Sequence, residues 1–87
     1  MNGNENGKKY KVTVEVFGEN YSLKSDIDLE RVIKVAALVD ARMKKISKAN
    51  LCLPPNRVAI LAALTIAEEF LQLEHNYKEL IKMVEEE

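Results

Sequence analysis

An uninterrupted apolar repeat in the last third of the chain constrains the fold more than any other feature. Residues 56–87 contain no Gly or Pro, so they can form one helix of about 48 Å. Apolar side chains recur there at alternating steps of four and three residues, the spacing of a coiled-coil seam. This chain of 87 residues has no other segment to cover the seam, so we expect other copies of the chain to cover it, from Ala63 onward. The seam consists of Ala59, Ala63, Ile66, Phe70, Leu73, Tyr77, Leu80 and Val84.

The end of the seam predicts the size of the oligomer. Ile81 and Met83 flank Leu80 and Val84, and apolar residues at flanking heptad positions favour more than two helices in a bundle. We therefore expect a dimer that pairs again into a tetramer. The sequence leaves open which of these states dominates at cellular concentration.

The first half of the same helix carries a second apolar face beside the seam. We expect one of the two faces to pack on the rest of the chain and the other to pack on a partner. The second face comprises Ile60, Leu61, Leu64, Ala67 and Leu71.

Alternation of apolar and polar residues predicts a β-hairpin over residues 10–24. Such alternation is typical of strands with one buried side. We place the turn at residues 18–20, where Gly18 can adopt a positive φ. A lone hairpin is marginally stable in water, so another element or another chain must cover it. The side chains expected to face inward are Val12, Val14, Val16, Tyr21 and Leu23.

A shorter helix is predicted between the hairpin and the long helix. Asp28 is suited to cap its N-terminus, and Asn50 is suited to end it. Pro54 stops further propagation, and Pro55 fits the first turn of the long helix. The predicted fold class is therefore α+β with the element order ββαα, in an oligomer. The buried stripe of the shorter helix comprises Leu29, Val32, Ile33, Ala36, Val39, Met43 and Ile46.

Three segments organise the chain. Residues 1–9 are polar and rich in Asn and Gly, and we expect them to form a disordered tail. Residues 10–55 are expected to form a head. Residues 56–87 are expected to pack on that head and then to continue as a coiled coil.

Charge is unevenly distributed, although the whole chain has a net charge of −1. Residues 29–50 contain six basic and two acidic residues, whereas residues 68–87 contain seven acidic and two basic ones. A basic row opposite the buried stripe is most often a solvated face, but with few local carboxylates it also suits an acidic protein partner. Nucleic acid is a weaker alternative, because no aromatic residues interleave and the tail is acidic. The row comprises Arg31, Lys34, Arg42, Lys45 and Lys48.

The sequence offers little for catalysis. The single histidine, His75, falls at an outward heptad position, and the single cysteine, Cys52, is expected to be a buried or half-buried hydrophobe. Together they cannot supply a zinc site, and the glycines form no phosphate loop. Glu68 and Glu69 are expected to be solubilising. We therefore predict no enzymatic activity, no cofactor and no small-molecule substrate.

No targeting segment is evident in the sequence. The first residues lack the apolar region of a signal peptide, and no apolar run approaches the roughly 18 residues of a membrane span. A single cysteine fits a reducing compartment. We expect a cytoplasmic protein that does not enter the membrane.

Three stretches of the chain occur in a distinctive order. They are VTVEVFGENYSL at 12–23, VAALVDARMKKI at 35–46 and RVAILAALTIAEEFLQLE at 57–74. Together these stretches resemble the ZapA family of bacterial cell-division proteins, in particular its short members of the Gram-positive kind. The resemblance extends over about residues 10–87.

The resemblance implies a fold and a function. In this family a hairpin-and-helix head precedes a long helix, two chains pair, and two such dimers join antiparallel through their coiled coils. ZapA proteins bind the tubulin-like GTPase FtsZ, cross-link its protofilaments and help to align the cytokinetic ring at midcell, without enzymatic activity. FtsZ and further copies of the chain are thus the expected partners, at the division site. The alternative is a small oligomeric nucleic-acid-binding regulator that uses the basic face of the first helix.

The resemblance also nominates a contact residue. Basic residues on the head are associated in the family with the FtsZ contact, and Arg42 matches the family's helix arginine. Lys45, Lys48 and Lys34 are added on physical grounds, as basic neighbours on the same helix. Glu19 stands where some members carry a basic residue, which argues against a contribution of the turn to an acidic target.

Overall fold

The computed structural model describes residues 10–85 and contains two strands followed by two helices. The observed element order confirms the predicted ββαα fold. The predicted disordered tail and the last two residues of the predicted long helix lie outside the described residues. The elements are β1 (Tyr10–Val16), β2 (Glu19–Ser25), α1 (Leu29–Ala49) and α2 (Pro55–Glu85).

The hairpin turn is shorter than the sequence predicted. β1 and β2 pair antiparallel as far as Val16 and Glu19, so that only Phe17 and Gly18 form the turn. Both turn residues have positive φ, 52° and 81°, as in the two-residue type I′ turns that match the twist of paired strands. The prediction of a turn at residues 18–20 is therefore wrong by one to two residues, because Phe17 adopts a positive φ beside Gly18 and the strands pair up to Glu19.

The strained turn is held by the first helix. The backbone N–H of Phe17 donates a hydrogen bond of 2.7 Å to Oδ1 of Asp40. The half-buried Phe17 also packs against the cluster around Met43. Positive φ is uncommon for a bulky residue and persists only where surrounding contacts hold it. The hydrogen bond and the packing together fix the hairpin turn against α1.

Local signals place the ends of the helices. Asp28 caps α1, because its Oδ1 accepts a 2.8 Å hydrogen bond from the backbone N–H of Arg31. Asn50 is the C-cap of α1, and its side-chain oxygen accepts from the N–H of Cys52. Pro55 is the first residue of α2. The predicted cap, stop and first-turn proline are confirmed.

The core is small and follows α1 along its length. Near the start of α1, the hairpin residues Val12 and Val14 pack against the helix. Towards its end, α1 packs on α2 through a second cluster in which Val58 and Ala62 are almost completely buried. The predicted inward side of β1 and most of the predicted stripe of α1 are confirmed, but Leu29 and Ile33 are exposed. The buried apolar residues are Val12, Val14, Val32, Ala36, Met43, Val58 and Ala62.

The packing of α2 on the head differs from the prediction. The residues that bury against α1 are Val58 and Ala62, and Ile66 is half-buried one turn further on. The second apolar face, including Ile60 and Leu64, is exposed instead. Two residues along a helix correspond to about 200° of rotation, so this face lies on the opposite side of α2 from the head. Met43 of α1 completes this contact with the valine and the alanine of α2.

Candidate functional site

The coiled-coil seam is open along the part of α2 that extends beyond the head. Glu69 pairs with Arg42 of α1, and the 16 residues that follow it to Glu85 measure about 24 Å at the helical rise. The seam side chains of this part are between 56% and 68% exposed. They are Phe70, Leu73, Tyr77, Leu80 and Val84. Large apolar side chains in one line are typical of an interaction surface.

Two further apolar surfaces are open in the described chain. The first is the second apolar face of α2, which we call the back face because it lies on the side away from the head. Its residues Ile60, Leu64 and Leu71 are each about 60% exposed. The second is an apolar groove of about 250 Å³ between the hairpin and α1. Tyr21 and Leu23 line this groove on the predicted inward side of β2, but both remain largely exposed. A single chain therefore leaves more large apolar side chains in water than it buries.

The basic residue nominated for partner binding is already paired within the chain. Arg42 on α1 donates two hydrogen bonds to the carboxylate of Glu69 on α2, from Nη2 to Oε1 at 2.7 Å and from Nε to Oε2 at 3.2 Å. This parallel arrangement is the strongest geometry for an arginine–carboxylate pair. The prediction that Glu69 only solubilises the helix is wrong.

Electrostatic effects at this pair follow from its geometry. The hydrogen bond from Arg42 lowers the pKa of Glu69, and the nearby charges of Arg42 and Lys45 lower it further against an opposing effect of burial. The same hydrogen bond raises the pKa of Arg42. Both groups therefore keep their charges at neutral pH. Arg42 retains 30% side-chain exposure and Glu69 retains 46%, so solvent reaches the pair.

The pair lies in a groove between the two helices. The groove has a volume of about 400 Å³ and opens to solvent; it is lined by Arg42, Lys45, Ile46, Ala49, Thr65 and Glu69. Arg42 thus lies at the edge of α1 that faces α2, and not opposite the buried stripe as predicted. Lys45 lines the same groove and is exposed.

The remaining basic residues of α1 fall into two groups. Lys44 forms an ion pair of 2.9 Å with Asp40 one helical turn earlier, and this contact raises the pKa of Lys44. The predicted contact residues Lys34, Lys45 and Lys48 are exposed. Within residues 10–85 none of these three lies within ion-pair distance of a carboxylate. Together with the exposed Arg31, they give α1 positive charge that is not paired within the described chain.

The other chemically notable residues form no site. His75 is exposed, as predicted. Cys52 is also exposed, and the prediction of a buried or half-buried role is wrong because the turn after Asn50 carries it to the surface. Among residues 10–85, no three His, Cys, Asp or Glu side chains are grouped to hold a metal ion. Neither α1 nor α2, as described, combines the length and the apolar character that a membrane-spanning helix needs.

Comparisons with known proteins point to one family. The family described as "Cell division protein ZapA" matches residues 12–87. A protein of that name from Bacillus pumilus is 33% identical over 82 residues, covering 93% of this chain and 96% of the relative. Another from Bacillus thuringiensis is 30% identical over 76 residues, covering 87% and 85%. A solved structure described as a ZapA mutant dimer from Geobacillus stearothermophilus is 27% identical, with a TM-score of 0.73 over 98% of this chain and 99% of that one.

Proposed function

This chain belongs to the ZapA family of cell division proteins, and we propose that it is a non-enzymatic connector that cross-links FtsZ protofilaments at midcell. The observation that carries this proposal is the separation of two surfaces on one chain. An open apolar seam runs along the end of α2 beyond the head, and free positive charge lies on the head. One surface joins copies of the chain, and the other binds the filament.

Self-association follows from the apolar surface that the chain cannot cover. Burial of apolar area is worth about 25 cal/mol per Å², and the exposed seam from Phe70 to Val84 would gain this energy against a second α2. The Geobacillus structure, described as a dimer of a ZapA mutant, supports this step. The back face of α2 offers a second surface for a further copy, which supports a dimer of dimers.

Filament binding uses the charge on the head. Lys34, Lys45 and Lys48 attract an acidic surface without first breaking a contact of their own. Exposed charges of this kind increase association rates and specificity more than they increase affinity. Each head therefore makes a weak contact with FtsZ.

Cross-linking then depends on avidity. A rod that holds two heads apart makes the second contact intramolecular, and such linkage can raise apparent affinity by about 10²–10⁴. A polymer with many equivalent sites benefits from this effect, whereas a single FtsZ subunit does not. Bundling therefore needs two heads and a stiff connector, and it needs no catalytic group.

The proposal is tested by reversing one free charge on the head. Lys45→Glu is preferable to Arg42→Glu, because Lys45 has no ion-pair partner in the described chain whereas Arg42 holds Glu69. We expect Lys45→Glu to reduce co-sedimentation with FtsZ polymers and to leave the oligomer mass unchanged. The matched control is Lys82→Glu in the last turn of α2. Equal FtsZ binding by wild type and Lys45→Glu would show that the positive charge of the head does not contribute to the contact.

The same free charges are the reason to test nucleic acid as a second candidate. Arg31, Lys34, Lys45 and Lys48 lie on one helix and are exposed, and phosphate binding through such residues weakens steeply as salt rises. The pairing of Arg42 with Glu69 removes one cation from this row. Binding to DNA or RNA at low salt, with a steep salt dependence and no FtsZ pelleting, would favour this second function.

A further inference from the structure

The groove between α1 and α2 already contains a carboxylate, the group that an acidic partner would bring to it. The carboxylate of Glu69 accepts both hydrogen bonds of Arg42, at 2.7 Å and 3.2 Å. The charge of Lys45 also acts on Glu69. One internal carboxylate therefore shares the groove with two cations, Arg42 and Lys45.

Resting on the proposed function, we infer that the groove between α1 and α2 is part of the FtsZ contact, that Glu69 occupies its carboxylate subsite, and that an acidic side chain of the partner replaces Glu69 on Arg42. In the free protein the pair keeps the guanidinium hydrogen-bonded. In the complex the partner supplies the carboxylate, and Glu69 turns to solvent. Glu69 therefore regulates the affinity of the site by competing for Arg42.

Exchange is physically accessible at this pair. Both side chains are partly exposed, at 30% and 46%, so water and an incoming carboxylate can reach them. Replacement of one carboxylate by another conserves both hydrogen bonds of the guanidinium. The carboxylate of Glu69 is at the end of a long, flexible side chain, so it can leave Arg42 while α2 stays in place.

The groove also has room for the incoming group. Its volume of about 400 Å³ is large compared with a carboxylate, and Ile46 and Ala49 give it an apolar floor on the α1 side. Lys45 has no carboxylate within ion-pair distance in residues 10–85, so its charge is available to an acidic surface that places a carboxylate on Arg42. Arg42 alone would favour Glu69 over an external carboxylate, but Arg42 with Lys45 gives the partner an additional contact.

The test is to remove the negative charge of Glu69 and to leave the rest of the chain unchanged. In Glu69→Gln the charge of the competing group is lost, and we expect the full-length protein to bind FtsZ polymers about two- to fivefold more tightly, the range for a partly exposed ion pair. The matched control is Glu68→Gln, which removes the same charge from the adjacent residue. Glu68 forms no ion pair in the described chain, so Glu68→Gln reports only the general loss of negative charge.

A double-mutant cycle separates competition from a structural role. If Glu69 acts through Arg42, the gain from Glu69→Gln disappears in an Arg42→Gln background. If the pair only holds the two helices together, Glu69→Gln lowers the Tm and leaves affinity equal to that of Glu68→Gln or lower, which overturns the exchange. In that case wild type still co-sediments with FtsZ polymers and Lys45→Glu still co-sediments less, so the proposed function stands. If wild type itself does not co-sediment with FtsZ polymers, both the exchange at Arg42 and the proposed function are overturned.

Discussion

The backbone N–H of Phe17 and Oδ1 of Asp40 are joined by a hydrogen bond of 2.7 Å across 23 residues of sequence. Asp40 also holds Lys44 at 2.9 Å, so its two carboxylate oxygens connect the hairpin turn to the surface of α1. Since Phe17 has a φ of 52°, this contact holds a backbone conformation that a phenylalanine seldom adopts. The position of the hairpin turn against α1 thus depends on this carboxylate together with the packing of Phe17.

Asp40→Asn is expected to destabilise the head. The amide keeps the size of the side chain but loses the charge that strengthens the hydrogen bond to Phe17 and the ion pair with Lys44. We expect the Tm to fall by a few degrees in thermal unfolding followed by circular dichroism. The control is Asp26→Asn, which removes the same charge from an exposed residue of the loop before α1. Equal Tm values for the two variants would contradict the role of Asp40.

Acid is expected to release the same contact. The hydrogen bond from Phe17 and then the contact with Lys44 lower the pKa of Asp40 below its ordinary value of 3.8, with burial opposing. Because the folded pKa is lowered, the stabilisation is complete well above pH 3.8 and is lost as the pH falls through the folded value. The Tm difference between wild type and Asp40→Asn should therefore be largest at pH 6–7 and should shrink towards pH 3. A difference that stays constant over this range would exclude ionised Asp40 as its source.

Gly18 is expected to tolerate asparagine better than alanine. Its φ is 81°, and a Cβ added there would meet nothing within 4 Å, so backbone strain alone determines the cost. Left-handed backbone costs most L-residues about 1–2 kcal/mol, whereas Asn adopts it more readily. Urea unfolding should rank the free energy of unfolding as wild type, then Gly18→Asn, then Gly18→Ala. Equal stability of all three would show that the turn rearranges.

Features that depend on neighbouring residues were predictable from the sequence. The cap at Asp28, the stop at Asn50 and the start of α2 at Pro55 each follow from chemistry within one turn of helix. The outward position of His75 follows from the heptad spacing. The continuous helix from Pro55 to Glu85 follows from the absence of breakers. These features need no knowledge of which elements meet.

Features that join distant residues were not predictable. Arg42 and Glu69 are 27 residues apart on different helices, and periodicity on each helix does not give their relative rotation. α2 has apolar residues on most of its circumference near the head, so packing of Val58 and Ala62 on Met43 selects the buried side. The Phe17–Gly18 turn depends on Asp40 in the same way.

Lysine substitutions in the seam and on the back face of α2 are expected to disrupt the contacts between copies of the chain. Leu73 in the seam and Leu64 on the back face are 68% and 61% exposed in the single chain. If each face covers a neighbouring copy, Leu73→Lys and Leu64→Lys each bury a charge at an apolar contact, at a cost of several kcal/mol. We expect each variant to give a smaller particle than wild type by analytical ultracentrifugation, and the double variant to be a monomer. The control is Gln72→Lys: Gln72 is exposed and lies about 80° and 100° around the helix from Leu64 and Leu73, so this variant should keep the wild-type mass. A monomeric chain would tolerate all of these changes, since exposed substitutions usually alter stability by less than about 0.5 kcal/mol. Wild-type mass in the double variant would therefore rule out both faces as interfaces.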